Sequence, residues 1–497
     1  MICSKCGNQI PDGSQFCPYC NCPVSIDNSL QGQNVVQSQV VQQYGQSNNQ
    51  YVVNNSKKSS SKYIFIIVLL LTIIGLLGYI IIFNGNKELD NNKKEGDSSG
   101  NVSRTIMIYM SPSNLEYSSG IATADLEAID GNKVDLDNIN VLVYTGGTKN
   151  WKNDYIKNTE NAIFKLTEDG FEKIETYDKL NLGDPKTLQK FLDYGYSNYK
   201  TDEYDLILYD HGNATQGAIV DDFKDDMLSL AEFEKALDDS EFSSDNKLEI
   251  VLFRTCLNST IEVASVFDDY ADYLVASEEI TWGSGLTDVL SFLNNIKYED
   301  DAITFGKKFI DSYDEQMDTI SYFNGYELGS TYSITDLSKV NEIIDELGNF
   351  VKGIDLDKDY AKVARVRGNL FQFASDSTNE IDTVDLYNLI KGLSNYSDYD
   401  GDKLLDLINE AVVYNWSNLG TNGLSIYFPY KGSVLTKTQL INVYDEIDFN
   451  SNYHSFIKEF NKKKTTSSSK AFDSMLVDTE IKTNSDGYEA SLKLNDD

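Results

Sequence analysis

From about residue 104 onward, short apolar runs alternate with longer stretches in which apolar residues recur at helical spacing. Short runs of this kind are typical of buried strands, and apolar positions three and four apart are typical of amphipathic helices. The pattern predicts strands at residues 105–110, 139–144, 204–209 and 248–253, with helices that include residues 188–194 and 230–237.

The alternation of strands and helices predicts the fold class. Strands joined through helices form parallel sheets, and both faces of such a sheet are covered. We therefore expect an α/β fold with a mostly parallel sheet and helices on both faces. In sheets of this kind the ligand site lies beyond the carboxyl ends of the strands. The residues that follow 204–209 and 248–253 are the first candidates for chemistry.

One apolar run is too long to be a strand. Residues 63–83 read YIFIIVLLLTIIGLLGYIIIF and contain no charged side chain. A helix of about 20 apolar residues crosses the hydrocarbon core of a bilayer. Because the run lies behind a cysteine-rich segment rather than at the start of the chain, we interpret it as a retained single transmembrane helix and not as a cleaved signal.

The first residues, MICSKCGNQIPDGSQFCPYCNCPV, contain two C-x-x-C pairs. Four thiolates from two such turns can close a tetrahedron around a zinc ion, and so short a segment cannot fold by apolar burial alone. Residues 1–24 therefore predict a structural zinc ribbon, similar to those at the amino end of many bacterial membrane proteins. The predicted ligands are Cys3, Cys6, Cys17 and Cys20, with Cys22 as an alternative to Cys20.

Polar segments separate these elements. Residues 25–62 are rich in Gln, Asn and Ser and form a predicted flexible linker, and residues 84–103 form a charged spacer. The main domain is predicted at residues 104–460. Residues 461–497 are predicted to be a spacer with a strand-like extension, too short to build a core alone.

Cysteine usage predicts the topology of the chain in the membrane. Lysines flank the apolar run on both sides, so the charge distribution alone is nearly balanced. Thiolate ligands persist best in a reducing compartment, whereas the large domain has one thiol, Cys256, and no partner for a disulfide. We expect the amino terminus in the cytoplasm and the large domain outside the cell.

Charge narrows the choice of partners. The formal net charge is -36, with 78 acidic residues against 42 Lys and Arg, so a surface for nucleic acid is not expected. The ribbon itself has one lysine, Lys5, and no arginine to meet phosphates. Docking of a cytoplasmic protein is the role predicted for it.

A nucleophile and a base follow two of the predicted strands. His211 comes two residues after the run 204–209, and Cys256 comes three residues after the run 248–253. An imidazole can take the proton of a thiol, and the thiolate then attacks a carbonyl carbon. Backbone N–H groups at turns of this kind can stabilise an oxyanion, and those of Gly212 and Cys256 are the candidates. His454, the other histidine, lies in a polar turn.

The sequence around these residues resembles the clostripain-type cysteine peptidases, which have a caspase-like fold. In that family one strand ends in Asp-His-Gly, and about 45 residues later another ends in the nucleophilic Cys. Further matches follow in the same order over residues 104–460: Tyr109-Met110, Asn114-Leu115-Glu116, Gly183-Asp184-Pro185, Ala276-Ser277-Glu278-Glu279 and Gly423-Leu424-Ser425-Ile426-Tyr427-Phe428-Pro429. The resemblance implies a peptidase acting on a protein or peptide, and calcium dependence in some relatives implies that Ca²⁺ could bind its acidic loops.

This chain departs from the family at the pocket that receives a basic substrate residue. The family has an acid two residues before the nucleophile, where this chain has Arg254, and a second acid where this chain has Ser284. A guanidinium would repel a basic residue and pair with a carboxylate. Cleavage after acidic or neutral residues is therefore expected, although pairing of Arg254 with Glu279 would leave a neutral pocket.

The chain is thus predicted to be a membrane-anchored cysteine endopeptidase with a Cys256/His211 dyad. The alternative is an inactive relative that binds peptide or cell-wall ligands. Loss of both pocket acids favours that alternative, and retention of Cys256 and His211 argues against it.

Overall fold

A computed structural model describes residues 103–283, 288–324, 327–374, 381–484 and 487–494. Side chains at 323–324, 434–435 and from residue 465 onward are not included in the description. The predicted ribbon, linker and transmembrane helix lie outside the described residues, as does Ser284. The structure therefore does not test those predictions.

The described chain alternates strands and helices, as the apolar pattern predicts. Its strands are β1 (Arg104–Met110), β2 (Ile139–Thr145), β3 (Asn161–Thr167), β4 (Gly170–Tyr177), β5 (Glu203–Tyr209), β6 (Ala218–Asp221), β7 (Asp226–Leu228), β8 (Leu248–Arg254), β9 (Ala271–Ala276), β10 (Thr331–Asp336), β11 (Thr383–Asp385), β12 (Val412–Ser417), β13 (Ser425–Tyr427), β14 (Leu476–Asn484) and β15 (Gly487–Leu494). Its α-helices are α1 (Ser113–Ser119), α2 (Ile121–Glu127), α3 (Pro185–Asn198), α4 (Leu230–Asp238), α5 (Ile261–Phe267), α6 (Ala302–Asn324), α7 (Val340–Lys352), α8 (Leu356–Asn369), α9 (Leu386–Leu393), α10 (Asp402–Ala411), α11 (Val434–Glu446) and α12 (Ser451–Met475).

The largest sheet in the described ranges has the strand order β12-β10-β9-β8-β5-β1-β2-β3-β4. Strands β2, β1, β5, β8 and β9 pair in parallel, and the strands beyond them on both edges pair antiparallel. The predicted α/β class with a mostly parallel central sheet is confirmed. The antiparallel edges were not part of the sequence prediction.

Two apolar cores cover the two faces of this sheet. Alternate residues of β1 point to opposite faces, so Met107 and Tyr109 belong to one core while Ile106, Ile108 and Met110 belong to the other. Helices α3, α4, α5 and α7 complete the first core, and α2 and α6 complete the second. All five of these β1 side chains are fully buried, which explains the continuous apolar run in the sequence.

The register of the parallel strands brings the candidate residues to one edge. Tyr209, at the end of β5, is paired with Arg254, at the end of β8. His211 and Cys256 each follow that pair by two residues, so the two loops leave the sheet side by side. On the other side of β5, Tyr209 is paired with Met110, the last residue of β1. The loops after β1, β5 and β8 therefore share one edge.

A buried cluster of charged residues lies at the amino-terminal ends of the same parallel strands. Arg104 is fully buried, and its guanidinium lies 2.7 Å from Glu203 Oε2 and 3.3 Å from Asp205 Oδ2, while Glu249 also contacts it. Burial raises the pKa of Asp205 to about 8 although Arg104 opposes the shift. Asp205 is therefore protonated in the folded chain at neutral pH.

We expect the raised pKa of Asp205 to make stability depend on pH. A free Asp has a pKa near 3.9, so between about pH 4 and pH 8 the folded state holds a proton that the unfolded state has lost. Its contribution to the free energy of unfolding falls with rising pH, by about 1.4 kcal/mol per pH unit. The Asp205→Asn variant should lack this slope, as measured by urea unfolding from pH 5 to pH 9. Asp202→Asn, at an exposed position before β5, is the control. Parallel curves for wild type and Asp205→Asn would contradict the assignment.

The described chain ends in α12 followed by the antiparallel hairpin β14–β15. His454 lies in the first turn of α12 and is buried, with its Nδ1 3.2 Å from Asp445 Oδ1. In the sequence it is distant from both His211 and Cys256. Within the described ranges, no helix is both long and apolar enough to span a membrane.

Candidate active site

A cavity of about 310 Å³ opens at the carboxyl edge of β5 and β8. His211 and Cys256 both line it, so the structure brings the predicted base and nucleophile to one site. Apolar side chains supply much of the remaining wall, and Arg254 is the cation among the lining residues. The lining residues used below are Tyr209, Asp210, His211, Gly212, Arg254, Cys256, Leu257, Ile280, Thr281, Trp282, Gly283, Ala374 and Ile381.

The residue before His211 fixes the loop that carries it. Asp210 is buried, and its carboxyl group accepts hydrogen bonds from Ser113 Oγ at 2.7 Å and from the N–H of Val220. The carbonyl of His211 accepts from the N–H of Ile219 at 3.1 Å. The backbone of His211 is thus held between the loop after β1 and strand β6.

The imidazole of His211 is itself bound. Its Nε2 lies 2.6 Å from Asn114 Oδ1, in the first turn of α1. Burial lowers the pKa of His211 below its ordinary value, although the nearby Asp222 opposes that shift. His211 is therefore neutral at neutral pH, which is the form that can accept a proton.

The thiol of Cys256 is half-buried and faces the loop after β9. The N–H of Thr281 points at Cys256 Sγ from 3.4 Å, and Thr281 Oγ1 lies 3.5 Å from the same sulfur. These contacts hold the sulfur of Cys256 against the backbone and side chain of Thr281. Thr281 was not among the residues singled out from the sequence.

The turn that holds Cys256 is strained and closely tied. Leu257 has φ of +64°, a conformation that costs a non-glycine residue about 1 kcal/mol or more. Its N–H donates to the carbonyl of Glu279 at 3.2 Å, and Thr255 Oγ1 lies 2.6 Å from Asn258 Oδ1. These contacts hold the backbone of Cys256 in one arrangement.

Gly212 permits the two loops to touch. A Cβ on Gly212 would lie 2.0 Å from the carbonyl oxygen of Cys256 and 2.1 Å from Asn258 Oδ1, both far below contact distance. The absence of a side chain at Gly212 leaves space between the two loops. The structure shows that the space is used by the backbone of Cys256 itself.

The Gly212→Ala variant should therefore lose activity. The added methyl group forces the histidine loop away from the cysteine loop, and a displacement near 1 Å at reacting groups reduces kcat/KM by about a hundredfold. Gly170→Ala is the control, since Gly170 has φ of +106° but no atom within 4 Å of the methyl group that the substitution would add. Peptide hydrolysis and urea unfolding would be measured for both. Full activity in Gly212→Ala would show that the contact does not position the site.

Arg254 is buried at the end of β8 and reaches the cavity wall beneath Gly283. A Cβ on Gly283 would lie 2.8 Å from Arg254 Nη2. The guanidinium carbon lies 5.6 Å from the ring centre of Tyr209. Among the described residues no carboxylate lies within 4 Å of the guanidinium, although Asp125 acts on it electrostatically from a greater distance.

Asp125, on α2, is the carboxylate with the largest electrostatic effect on Arg254. Its carboxyl group accepts from Tyr209 Oη at 2.6 Å and from the N–H of Leu290 at 3.2 Å. Burial raises the pKa of Asp125, while Arg254 opposes the shift. Asp125 therefore acts on the charge of Arg254 from beyond the distance of an ion pair.

Glu279, the acid that the sequence suggested as a partner of Arg254, binds backbone groups. Its Oε1 accepts hydrogen bonds from the N–H groups of Ile280 and Ala374, at 2.7 Å and 2.9 Å. Glu279 thereby ties the loop after β9 to the segment that carries Ala374. One oxygen of the carboxylate is therefore bound by the backbone of both loops.

No group of three or more His, Cys, Asp or Glu side chains within the described ranges could hold a metal ion. The suggested calcium site therefore has no support from the described part of the domain. The zinc ligands predicted at Cys3, Cys6, Cys17 and Cys20 lie outside the described residues.

A model of a known protein family matches most of this domain. The model of the clostripain family matches residues 108–478, well over half of the chain. The chain belongs to the clostripain family. The predicted cysteine endopeptidase is thereby confirmed. Clostripain from Hathewaya histolytica is 26% identical over 431 residues, which cover 69% of this chain and 79% of that protein.

Solved structures share the fold of this clostripain-family domain. A secreted C11 cysteine protease from Bacteroides thetaiotaomicron, solved with an irreversible peptide inhibitor, superposes with a TM-score of 0.53 at 18% identity, covering 70% of this chain and 99% of that one. An inactive zymogen C11 protease from Parabacteroides distasonis gives 0.53 at 20% identity, covering 69% and 97%.

A second family model matches the amino end of the chain. The zinc-ribbon domain matches residues 2–24, which include all four predicted ligands. The predicted ribbon is confirmed at the level of the family.

Proposed function

We propose that this clostripain-family member hydrolyses peptide bonds through Cys256 and His211. The observation that carries the proposal is the shared register of β5 and β8, which leaves both residues at the wall of one cavity. In the first step the S–H bond of Cys256 breaks, its proton passes to His211, and sulfur bonds to the substrate carbonyl carbon. The imidazolium then gives the proton to the leaving amine as the C–N bond breaks, and water hydrolyses the acyl-enzyme.

The oxyanion of the tetrahedral intermediate would be bound by the N–H groups of Gly212 and Cys256. In the described part of the chain, neither N–H donates a hydrogen bond to another group. Each belongs to a loop that is fixed by contacts of its own, and the two loops touch at Gly212. Donors that are already in place stabilise a developing charge without reorganisation.

The preferred substrate residue at the cleaved bond would be acidic, or else neutral. A substrate Lys or Arg would bring a second cation against the buried guanidinium of Arg254, whereas Asp or Glu could form a bidentate pair with it. Among the described residues, Asp125 acts on that charge only from beyond ion-pair distance, which supports an acidic over a neutral residue. Glu279 would shape the pocket by tying its loops together, and Ser284 would contribute no charge.

Fluorogenic peptides that differ only at the cleaved residue test this proposal. The purified chain should cleave after Asp or Glu best, after Gln or norleucine less well, and after Lys or Arg least. Strong turnover of the Arg peptide would overturn the acidic preference while leaving the peptidase activity intact. Labelling with a thiol-directed peptide electrophile, followed by mass spectrometry, should place the adduct on Cys256.

We further propose that residues 63–83 anchor the peptidase to the cell membrane. The amino terminus would lie in the cytoplasm and the domain outside the cell. Cys3, Cys6, Cys17 and Cys20 would hold a structural zinc ion in the ribbon, which could then dock a cytoplasmic protein. Protease added to intact cells should digest the peptidase domain and leave an epitope placed at the amino terminus intact. The reverse pattern would invert the topology.

A further inference from the structure

The strongest side-chain contact of His211 is with a residue that has no role in the proposed dyad. Asn114 Oδ1 lies 2.6 Å from His211 Nε2, close enough for a good hydrogen bond. Among the residues that the structure describes, Asn114 is the hydrogen-bond partner of this imidazole. An amide oxygen only accepts, so Nε2 must carry the hydrogen.

The backbone around Asn114 is fixed by the same carboxyl group that fixes His211. Ser113 has φ of +39°, and its Oγ donates to Asp210 at 2.7 Å. The carbonyl of Ser113 accepts from Thr148 Oγ1 at 2.6 Å. Asp210, the residue before His211, therefore binds Ser113, the residue before Asn114. A strained conformation that is held by several bonds is typical of residues that position a functional group.

We propose that Asn114 is a positioning residue that keeps the proton of neutral His211 on Nε2 and leaves Nδ1 as the nitrogen that accepts the proton of Cys256. This proposal rests on the dyad proposed above. A ring nitrogen is a base only when it has no hydrogen, and the bond made by the other nitrogen selects the tautomer. The same amide oxygen stabilises the imidazolium that forms when Nδ1 accepts the proton.

Charged groups around the ring set the electrostatic background for this role. Asp222 on the β6–β7 turn acts on His211, and Arg254 and Cys256 line the same cavity. The buried carboxyl group of Asp210 accepts hydrogen bonds from Ser113 and Val220, and burial raises its pKa well above the ordinary value. The group of Asn114 that contacts the imidazole is a neutral amide, not a charged group.

Kinetics of two variants at position 114 test the proposal. Asn114→Ala should lower kcat by about ten- to a hundredfold with little change in KM, since the lost interaction assists proton transfer. Asn114→Asp keeps the acceptor, so it should retain more activity than Asn114→Ala. Its charge should also raise the pKa of His211 and move the acid limb of kcat/KM to higher pH. Ser118→Ala, exposed on the same helix, is the control and should behave as wild type.

The chain has two histidines, so the tautomer itself can be measured. Nitrogen NMR of full-length protein labelled at histidine, assigned with His211→Ala, should show a protonated Nε2 and an unprotonated Nδ1 for His211 in wild type. Asn114→Ala should shift the pair toward a mixture of tautomers, and Asn114→Asp should restore a protonated Nε2.

A protonated Nδ1 in wild type, or wild-type kcat in Asn114→Ala, would overturn the positioning role. Equal loss in Asn114→Ala and Asn114→Asp, with an unmoved acid limb, would also overturn it and assign Asn114 a structural role. These outcomes are distinct from failure of the dyad. If Cys256→Ala retains wild-type turnover, the dyad fails; if Cys256→Ala is inactive and Asn114→Ala is not, only the role of Asn114 fails.

Discussion

Peptide hydrolysis should fall by at least about a thousandfold when Cys256 is replaced by alanine. The substitution removes the atom that forms the acyl-enzyme, and no other cysteine in the described ranges could replace it. It deletes one sulfur atom from a half-buried position, so the domain should still fold. The measurement is kcat/KM for the best peptide of the panel.

His211→Ala should lower kcat by a similar factor, because the thiol then lacks the group that takes its proton. The two residues act in one step, so the double variant should be hardly slower than either single variant. His454→Ala is the matched control, since it removes the other histidine of the chain. Multiplied losses in the double variant would mean that the two residues act in separate steps.

The sequence was sufficient to predict the central strands and the edge of the sheet that carries the site. Residues 105–110, 139–144, 204–209 and 248–253 are apolar at nearly every position because both faces of the sheet are covered. Parallel strands place their carboxyl ends together, so His211 and Cys256 could be expected at one edge without knowledge of the strand order.

The partners of the site residues could not be predicted, because they come from loops distant in the sequence. Thr281 reaches Cys256 from the loop after β9, and Asp125 acts on Arg254 from α2. These contacts depend on the paths of the loops beyond the sheet. The pattern of apolar residues in the sequence does not predict those paths. Asn114 was part of a matching motif, but the motif alone did not indicate that its amide meets His211.

The strand register also places Arg254 where the proposed role is in specificity rather than in catalysis. Its side chain leaves the end of β8 beside Tyr209, whereas Cys256 is two residues further along in the turn. The guanidinium is buried yet reaches the cavity wall at Gly283. A charge in such a place acts on the bound substrate side chain with little screening by water.

Reversing the charge at position 254 should therefore reverse the preference for the cleaved residue. Arg254→Asp should prefer Lys and Arg over Asp and Glu, with the ratio of kcat/KM values changed by roughly 10²- to 10³-fold relative to wild type. Arg254→Gln should cleave neutral peptides at least as well as acidic ones, and it tests the same idea should a buried aspartate beside Asp125 impair folding. Arg365→Asp, the same change at an exposed position on α8, should keep the wild-type ranking. An unchanged ranking in Arg254→Gln would mean that the guanidinium does not meet the substrate, and the preference would then have to arise from the apolar walls of the cavity.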